Sequence, residues 1–270
     1  MGWIATLQHD SVRGARMGRF NAGLTTTTLV WRIGTTLVDT GPPNQWGAVK
    51  AFLNAEPVRK AVVTHHHEDH GGNASRLINE LGLPVYAADK AAAHLIAGHR
   101  LKPYQKVVWG RSAPCTPTVL TGPMDAGNGY TLTPVPCPGH SEDLTCFLEE
   151  SQGWLFSGDL YIADAPVYFR ADEHLTDTLA TLEAVQSLPF DTLFCAHRGV
   201  VKHGKEALQR KHAYLTGLKE EALALSAQGL SVRHITRRLL GKEEATSFIT
   251  GFHFCKANLI RACITETQDT

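Results

Sequence analysis

Short apolar runs, rich in β-branched residues and separated by polar or glycine-containing turns, recur along the first three quarters of the chain. Such runs predict strands, and apolar residues at helical spacing predict helices between them. The strands of the first half are predicted at residues 3–8, 24–38, 61–64 and 84–87. The helices of the first half are predicted at residues 45–55, 73–81 and 89–97. This half therefore begins with strands and continues with alternating helices and strands.

The second half repeats this order from Gly129 onwards. Its strands are predicted at residues 130–135, 144–149, 154–156 and 192–195. A helix is predicted at residues 174–188, where apolar residues recur at helical spacing. Two halves of similar order predict an α/β protein in which two sheets pack face to face with helices outside.

The chain changes character after Gly199, where no further strand pattern is evident. Leucines at helical spacing predict a long helix that ends at Gly229, and shorter helices after it. We therefore predict a first domain at residues 1–203 and a C-terminal helical extension at residues 204–270. Each helix of the extension has one apolar stripe, which must be buried against the rest of the chain or against a second subunit. A homodimer is thus one prediction.

Composition narrows the class of partner. Lys plus Arg and Asp plus Glu number 26 each, which argues against a broad nucleic-acid surface and leaves room for a local basic patch. No apolar run approaches the ~20 residues that span a bilayer, and the N-terminus shows no secretion signal. The six scattered cysteines form no Cys-x-x-Cys pair and are predicted to be buried thiols. We expect a cytoplasmic protein that binds neither nucleic acid nor membrane.

Histidine is the unusual component, with 14 residues, and a dense cluster follows the strand predicted at 61–64. The cluster reads His65-His66-His67-Glu68-Asp69-His70-Gly71-Gly72. Extended geometry would place His65 and His67 on one side, and the glycines permit a sharp turn that aims Asp69 and His70 at a second ion. Imidazole nitrogen and carboxylate oxygen suit zinc and related transition metals. The cluster therefore predicts a metal site, with a polar surface loop as the alternative.

Three more polar residues share this setting, because each follows a short apolar strand and stands beside a glycine. They are His140, Asp159 and His197. Each one alone is more typical of a simple turn, but their recurrence favours a shared site. Asp39 ends the strand predicted at 24–38, where it either caps the turn or accepts a hydrogen bond from a metal-ligating imidazole.

The pattern His65-x-His67-x-Asp69-His70, followed in order by His140, Asp159 and His197, resembles the metallo-β-lactamase-fold hydrolase superfamily in its dinuclear form. The resemblance covers about residues 3–200, and Asp39-Thr40-Gly41 matches a recurrent turn of that family. It implies a four-layer αβ/βα sandwich, with the C-terminal helices as an appendage. It also implies that His65, His67 and His140 hold one metal ion. Asp69, His70 and His197 would hold a second ion, with Asp159 bridging both.

A site of this kind implies a particular chemistry. Two dications ~3.5–4 Å apart can share a bridging hydroxide, which is a nucleophile at neutral pH. We therefore predict a hydrolase that cleaves an ester, thioester or lactone bond of a small molecule, with Asp69 as both ligand and proton carrier. The cofactors are predicted to be two zinc ions per chain, with iron or manganese as alternatives. Phosphodiester hydrolysis and a ligand sensor that retains the metal site are the alternative functions.

The sequence departs from the residue patterns of several branches of this superfamily, and these differences narrow the branch that it resembles. The family's zinc β-lactamases usually lack an aspartate at the position of Asp159, and its oxygen-reducing diiron members carry an acidic residue where His67 stands. The helical tail also resembles that of glyoxalase II-like members, but this resemblance is looser than that of the metal-ligand pattern. Lactonases of the family carry a tyrosine three residues beyond the bridging aspartate, whereas Tyr161 lies two residues beyond it, so Tyr161 is predicted to be a core or pocket-wall residue. Phe254 either walls the substrate groove or packs the last helix.

Overall fold

The computed structural model describes residues 5–21, 26–98 and 100–266. Residues 3, 4, 24 and 25 of the strands predicted at 3–8 and 24–38 lie outside the described residues. The chain divides into two compact units. The first unit contains Met1–Cys137, Asp143–Leu160 and Pro189–Gly204, and the second contains Pro138–Glu142, Tyr161–Leu188 and Lys205–Thr270.

Seven strands among the described residues of the first unit form one sheet in chain order. They are β1 (Ala5–His9), β2 (Val12–Met17), β3 (Thr28–Ile33), β4 (Thr36–Val38), β5 (Lys60–Val63), β6 (Val85–Ala87) and β7 (Thr118–Val119). Strands β1 to β4 pair antiparallel, whereas β4 to β7 run parallel. Parallel strands need crossover connections, and helices occupy them here. They are α1 (Trp46–Ala55), α2 (Ala74–Leu81), α3 (Asp89–Ala97) and α4 (Pro103–Val108).

The second sheet of the first unit has six strands among the described residues. They are β8 (Met124–Gly127), β9 (Tyr130–Pro136), β10 (Thr145–Glu149), β11 (Trp154–Gly158), β13 (Thr192–Cys195) and β14 (Gly199–Val201). Their order is β14-β13-β11-β10-β9-β8, and β11 and β13 form its parallel pair. Because parallel strands share their carboxyl ends, the residues that follow β11 and β13 emerge at the same edge of the sheet.

Two apolar cores hold the first unit together. Between the sheets, Trp31 packs edge-on against Phe194, and Phe194 stacks on Phe156, with ring centroids 5.2 and 4.7 Å apart. On the other face of the first sheet, Phe52 and Leu77 bring α1 and α2 into a core of their own. Aromatic pairs of this kind add about 0.5–1.5 kcal/mol each beyond area burial, so the strand ends that carry the site are firmly held.

The second unit consists mainly of helices. They are α5 (Leu175–Ala184), α6 (Gly204–Ala227), α7 (Val232–Leu239), α8 (Ala245–Ile249) and α9 (Lys256–Thr265). A two-stranded antiparallel ribbon joins them, made of β12 (Phe169–Arg170) and β15 (Phe254–Cys255). Among the residues described, no helix combines the length and the apolar character that a membrane span requires.

The prediction that no strand follows Gly199 is wrong. Strand β14 begins at that residue and pairs with β13, and β15 pairs with β12. Both segments have three residues or fewer, which is too short for an alternating pattern to be visible in the sequence. All six cysteines are buried thiols, as predicted.

Candidate metal centre

Asp39 lies at the end of β4, next to the end of the parallel strand β5. Its Oδ1 accepts hydrogen bonds from the backbone N and from Oγ1 of Thr64, at 2.8 and 2.9 Å. Its Oδ2 lies 2.8 Å from Nδ1 of His70. A carboxylate oxygen accepts, so the His70 proton is on Nδ1 and the lone pair is on Nε2. Asp39 thereby fixes the orientation of one predicted ligand.

The loop between β5 and α2 does not continue in the extended geometry that the sequence suggested, because the strand ends at Val63 and the chain then turns. Thr40 holds the loop by donating from its N and Oγ1 to the carbonyl of His70, at 2.6 and 2.8 Å. Asn73 stands at the N-cap position of α2, but its side chain makes no capping bond. Its amide donates instead to the carbonyls of residues 40–42, which ties the two turns together.

Gly72 is required by close approach rather than by an unusual backbone conformation. A Cβ at this position would lie 2.0 Å from the carbonyl oxygen of Glu68 and 2.5 Å from Cδ of Pro43. Neither Gly71 nor Gly72 is among the residues with positive φ, so the sharp turn that the sequence suggested for them has another cause. The loop folds onto its own backbone, and a side chain at position 72 would push it apart.

His65 and His67 point their ring nitrogens at each other. Nε2 of His65 lies 2.9 Å from Nδ1 of His67, and Oγ1 of Thr64 lies 3.0 Å from Nδ1 of His65. Two imidazole ligands of one tetrahedral zinc ion have nitrogens about 3.3 Å apart, given metal–nitrogen distances of about 2.0–2.1 Å. Both histidines are buried. Their spacing therefore suits a shared ion.

Asp159 and His197 follow the parallel strands β11 and β13. Nδ1 of His197 donates to the carbonyl of Thr27 at 2.8 Å, which leaves its Nε2 with a lone pair. That Nε2 lies 3.2 Å from Oδ1 of Asp159 and 3.6 Å from Oδ2 of Asp69. The Nε2 of His70 lies 3.3 Å and 3.7 Å from the same two oxygens.

Four buried acceptor atoms thus face one another. His70 and His197 have their protons fixed on Nδ1 by Asp39 and by a backbone carbonyl, so their Nε2 atoms cannot donate while the rings are neutral. Within the part of the chain that the structure describes, Nε2 of His70 has no hydrogen-bond partner. Among the described residues of this unit, three combinations have ligand atoms that all lie within 4.8 Å of one another, namely His66-His94-Asp143 and two that share His70, which are His65-His70-Asp159 and Asp69-His70-His197. The set suits a divalent cation, which would satisfy all of these acceptors.

The shifted pKa values of His197, His70 and Asp69 also indicate that this site requires positive charge. Burial lowers the pKa of His197, but the carboxylates of Asp159 and Asp69 outweigh it and raise that pKa to about 9. For His70, the same opposition of burial and nearby carboxylates raises the pKa well above its ordinary value. Burial raises the pKa of Asp69, against the pull of both histidines. A proton or a metal ion must therefore balance the two carboxylates.

Three of the predicted residues belong to the second unit. His140 follows Gly139, and its Nδ1 lies 3.5 Å from Oε1 of Glu173. The hydroxyl of Tyr161 donates to Oδ1 of Asp164 at 2.7 Å, and its side chain is buried. Phe254 of β15 stacks on Tyr168, with ring centroids 5.2 Å apart. The ligand role of His140 and the substrate roles of Tyr161 and Phe254 remain predictions.

Several supporting residues were not found from the sequence. Thr64 joins Asp39 to His65, and Arg16 donates to the carbonyl of His197 at 2.8 Å. Buried Asp143, just before β10, accepts from the backbone N of His66 at 2.8 Å and lies 2.9 Å from its Nδ1. These pairs join residues up to 181 positions apart, and only the fold brings them together. Of these, Thr64 had a visible signal, because it sits between the strand and the histidines.

Comparison with known proteins identifies the class. The model of the metallo-beta-lactamase superfamily matches residues 22–197, and the chain belongs to that superfamily. A hydroxyacylglutathione hydrolase from Bdellovibrio bacteriovorus is 29% identical over 198 residues, which are 71% of this chain and 71% of that protein. An atrochrysone carboxyl ACP thioesterase from Aspergillus fumigatus is 24% identical over 179 residues, which are 65% of this chain and 50% of that protein.

Solved structures agree on the fold. A metallo-beta-lactamase family protein from Thermus thermophilus has a TM-score of 0.68 at 20% identity, covering 94% of this chain and 93% of its own. A beta-lactamase domain protein from Burkholderia ambifaria has a TM-score of 0.71 at 17% identity, covering 98% and 90%. The predicted α/β sandwich with C-terminal helices is confirmed, and so is the prediction of a hydrolase of this superfamily.

Proposed function

We propose that the chain is a dinuclear metal-dependent hydrolase of small-molecule thioesters, with esters and lactones as related substrates. The observation that carries the proposal is the buried set of facing acceptors, the Nε2 atoms of His70 and His197 and the oxygens of Asp69 and Asp159. While both rings are neutral, no proton lies between these acceptors, whereas a divalent ion can bind all of them. We assign the ions to the ligands implied by the sequence order. These are His65, His67 and His140 for one ion, Asp69, His70 and His197 for the other, and Asp159 as the bridge.

When bound, such ions lower the pKa of water toward ~7 and polarise a carbonyl oxygen. The protein's own residues supply the rest. Asp39 and the Thr27 carbonyl hold the rings of His70 and His197 with Nε2 directed at the site. Asp69 is the candidate proton carrier, because its carboxylate lies inside the site, with Oδ2 3.7 and 3.6 Å from Nε2 of His70 and His197. A proton on Asp69 could then pass to the leaving group.

The substrate class is proposed from two sources. Among the relatives are a hydroxyacylglutathione hydrolase and an ACP thioesterase, which favours a thioester. The chain spans 71% of the first protein and half of the second, so the activity of either whole protein is carried over only as a proposal. The histidines are neutral, and the charge of two carboxylates is smaller than that of two divalent ions. The metal-loaded site therefore has a net positive charge, which favours a substrate with its own carboxylate. Zinc is the metal that we propose, given the histidine-rich ligand set.

A matched substrate series tests the proposal. Metal-analysed protein is assayed with one acyl group presented as a thioester, an ester and a lactone, together with a phosphodiester. We expect the highest kcat/KM for the thioester, and loss of turnover when a chelator removes the ions. Turnover of the phosphodiester alone would replace the proposal with phosphodiesterase activity. Full metal loading with no turnover of any class would favour a ligand sensor.

A further inference from the structure

The second unit contains a cleft that the proposed chemistry does not use. It has a volume of about 740 Å³ and lies between α7, the segment that follows it, and α9. Its lining combines basic side chains with two aromatic rings. The basic residues are Arg233, Arg237, Lys242 and Arg261, and the aromatic residues are Phe248 and Phe252. The volume falls within the ~300–1,000 Å³ that is typical of small-molecule sites.

The basic side chains carry charge that the described residues do not neutralise. Arg233 and Arg237 stand four positions apart on α7, where like charges repel each other. Neither arginine, nor Lys242, has an ion pair through its side chain within the described ranges. The arrangement is unfavourable alone and becomes favourable when an anion binds.

Glu243 is the acidic residue of the lining, and its carboxylate is already engaged. Its Oε1 accepts from the backbone N of Ala257 at 2.8 Å, and its Oε2 accepts from the backbone N of Lys256 at 3.1 Å. These donors are in the first turn of α9, where the helix dipole favours a negative charge. Glu243 therefore stabilises the N-terminus of α9 and leaves the cleft with an excess of positive charge.

The aromatic part of the lining is exposed and held in place. The side chains of Phe248 and Phe252 are 64% and 48% exposed, and their ring centroids are 5.2 Å apart. Phe252 has a φ of 61°, a left-handed conformation that is strained for a bulky residue. Its backbone N donates to the carbonyl of Ser247 at 2.7 Å, which fixes that conformation. Two exposed rings beside a basic group offer a surface on which a flat ring can stack.

Buried Lys256 makes the frame of the cleft rigid. Its Nζ donates to the carbonyls of Leu240 and Lys242, both at 3.0 Å, and pairs with Glu244 at 2.7 Å. These bonds fix the segment between α7 and α8 to the start of α9. The cleft is therefore formed before any ligand arrives, which limits the entropy lost on binding.

We propose that this cleft binds a small phosphorylated ligand that carries a planar ring, a molecule of mononucleotide chemistry. Arginine side chains bind phosphate through paired hydrogen bonds, and aromatic side chains stack on a planar base. A bare inorganic anion would leave Phe248 and Phe252 unused, and an uncharged apolar ligand would leave the basic side chains unpaired. The proposal is independent of the reaction catalysed at the metal centre.

Isothermal titration of the full-length, metal-loaded protein with AMP tests this site. Arg237→Gln removes one phosphate partner and should weaken the Kd by about 10-fold or more, as expected for a charged hydrogen bond. Phe248→Ala removes a stacking surface and should weaken it by about 5-fold or more. The matched control is Arg238→Gln, since Arg238 is an exposed neighbour on α7 that does not line the cleft. Adenosine and inorganic phosphate should each bind more weakly than AMP.

Four outcomes would overturn the proposal. No saturable AMP binding at low salt would show that the cleft does not bind a mononucleotide. Equal weakening by Arg237→Gln and Arg238→Gln would show non-specific attraction by positive charge, and insensitivity to both would place AMP outside this cleft. Tight binding of a single-stranded oligoribonucleotide without binding of AMP would assign the surface to a polymer instead.

Discussion

At the scale of single residues, proton placement decides what the centre can bind. Asp39 accepts from Thr64 through one oxygen and from His70 through the other. This arrangement determines which nitrogen of His70 has the lone pair. A partner that holds the proton of a ligating imidazole typically accounts for about 10–100-fold in metal affinity. The sequence suggested two roles for Asp39, and its contact with His70 favours the metal-related one.

Asp39→Asn should weaken metal binding with little change in fold. The Asn oxygen can still accept from Thr64, which turns its NH₂ group toward Nδ1 of His70. That nitrogen must then accept, so the proton moves to Nε2 and the ligand lone pair is lost. We expect metal affinity to fall by about 10–100-fold, measured by titrating apoprotein with zinc. Activity should recover at high zinc concentration. An unchanged zinc affinity would mean that His70 does not depend on Asp39.

Asp159→Ala should abolish most of the activity. Oδ1 of Asp159 lies 3.3 and 3.2 Å from Nε2 of His70 and His197, so its removal leaves bound cations less compensated. We expect kcat to fall by about two to three orders of magnitude, the scale typical for loss of one preorganised electrostatic group. Steady-state kinetics at saturating metal provide the measurement. Asp177→Ala, an exposed carboxylate on α5, is the control that should leave kcat unchanged.

At the scale of elements, the sequence located strands and helices well where the pattern was long enough. The helix at 89–97 has the predicted bounds, and α2 begins one residue after Asn73. The short strands β7 and β14 carry little pattern and were not predicted, whereas β6, which is also three residues long, was predicted from its apolar run. The contacts that hold the histidine loop could not be predicted either, because Asp143 and His66 are 77 residues apart. The candidate ligands were visible because each follows a strand beside glycine, whereas their supports are ordinary residues.

Asp143→Ala should loosen the histidine loop. The change removes the acceptor of the His66 backbone N–H and the neighbour of its ring. We expect the free energy of unfolding to fall by about 1–3 kcal/mol, the cost of a buried donor that loses its partner. Zinc affinity should fall as well, since His65 and His67 flank His66. Denaturant unfolding and zinc titration provide the two measurements, and Glu142→Ala, at an exposed neighbouring position, is the control. Lower stability with unchanged zinc affinity would show that the ligands are held independently of Asp143.

Phe254→Ala separates the two roles that the sequence left open for this residue. If the ribbon of β12 and β15 shapes the substrate site, KM should rise or substrate preference should change while metal content and kcat stay constant. The lost stack on Tyr168 should lower stability by about 0.5–1.5 kcal/mol. Ile249→Ala, at a position that is 71% exposed, is the control. Joint loss of metal and stability with unchanged preference would make the role of Phe254 structural.

At the scale of the whole molecule, the order of motifs predicted the fold class, whereas the division into domains at residues 1–203 and 204–270 stays a prediction. Two strand-rich halves with a histidine or aspartate after their strands indicated the sandwich, which the solved structures confirm. The second unit, however, takes residues 138–142 and 161–188 from the middle of the chain as well as the tail. Local patterns describe each segment but contain no information about which distant segments pack together.

Metal removal should destabilise the protein in a pH-dependent way. Without ions, protons on His197 and His70 are the charges that balance Asp69 and Asp159. The pKa of His197 is raised from 6.5 to about 9, so protonation stabilises the folded apoprotein fully below about pH 6.5. That contribution is lost as pH rises through about 9. The drop in Tm caused by a chelator should therefore be larger at about pH 9 than at about pH 6. Before chelation, elemental analysis should give two ions per chain. An occupancy of one ion after supplementation would contradict the dinuclear assignment. A drop in Tm that is equal at both pH values would show that protons do not replace the metal.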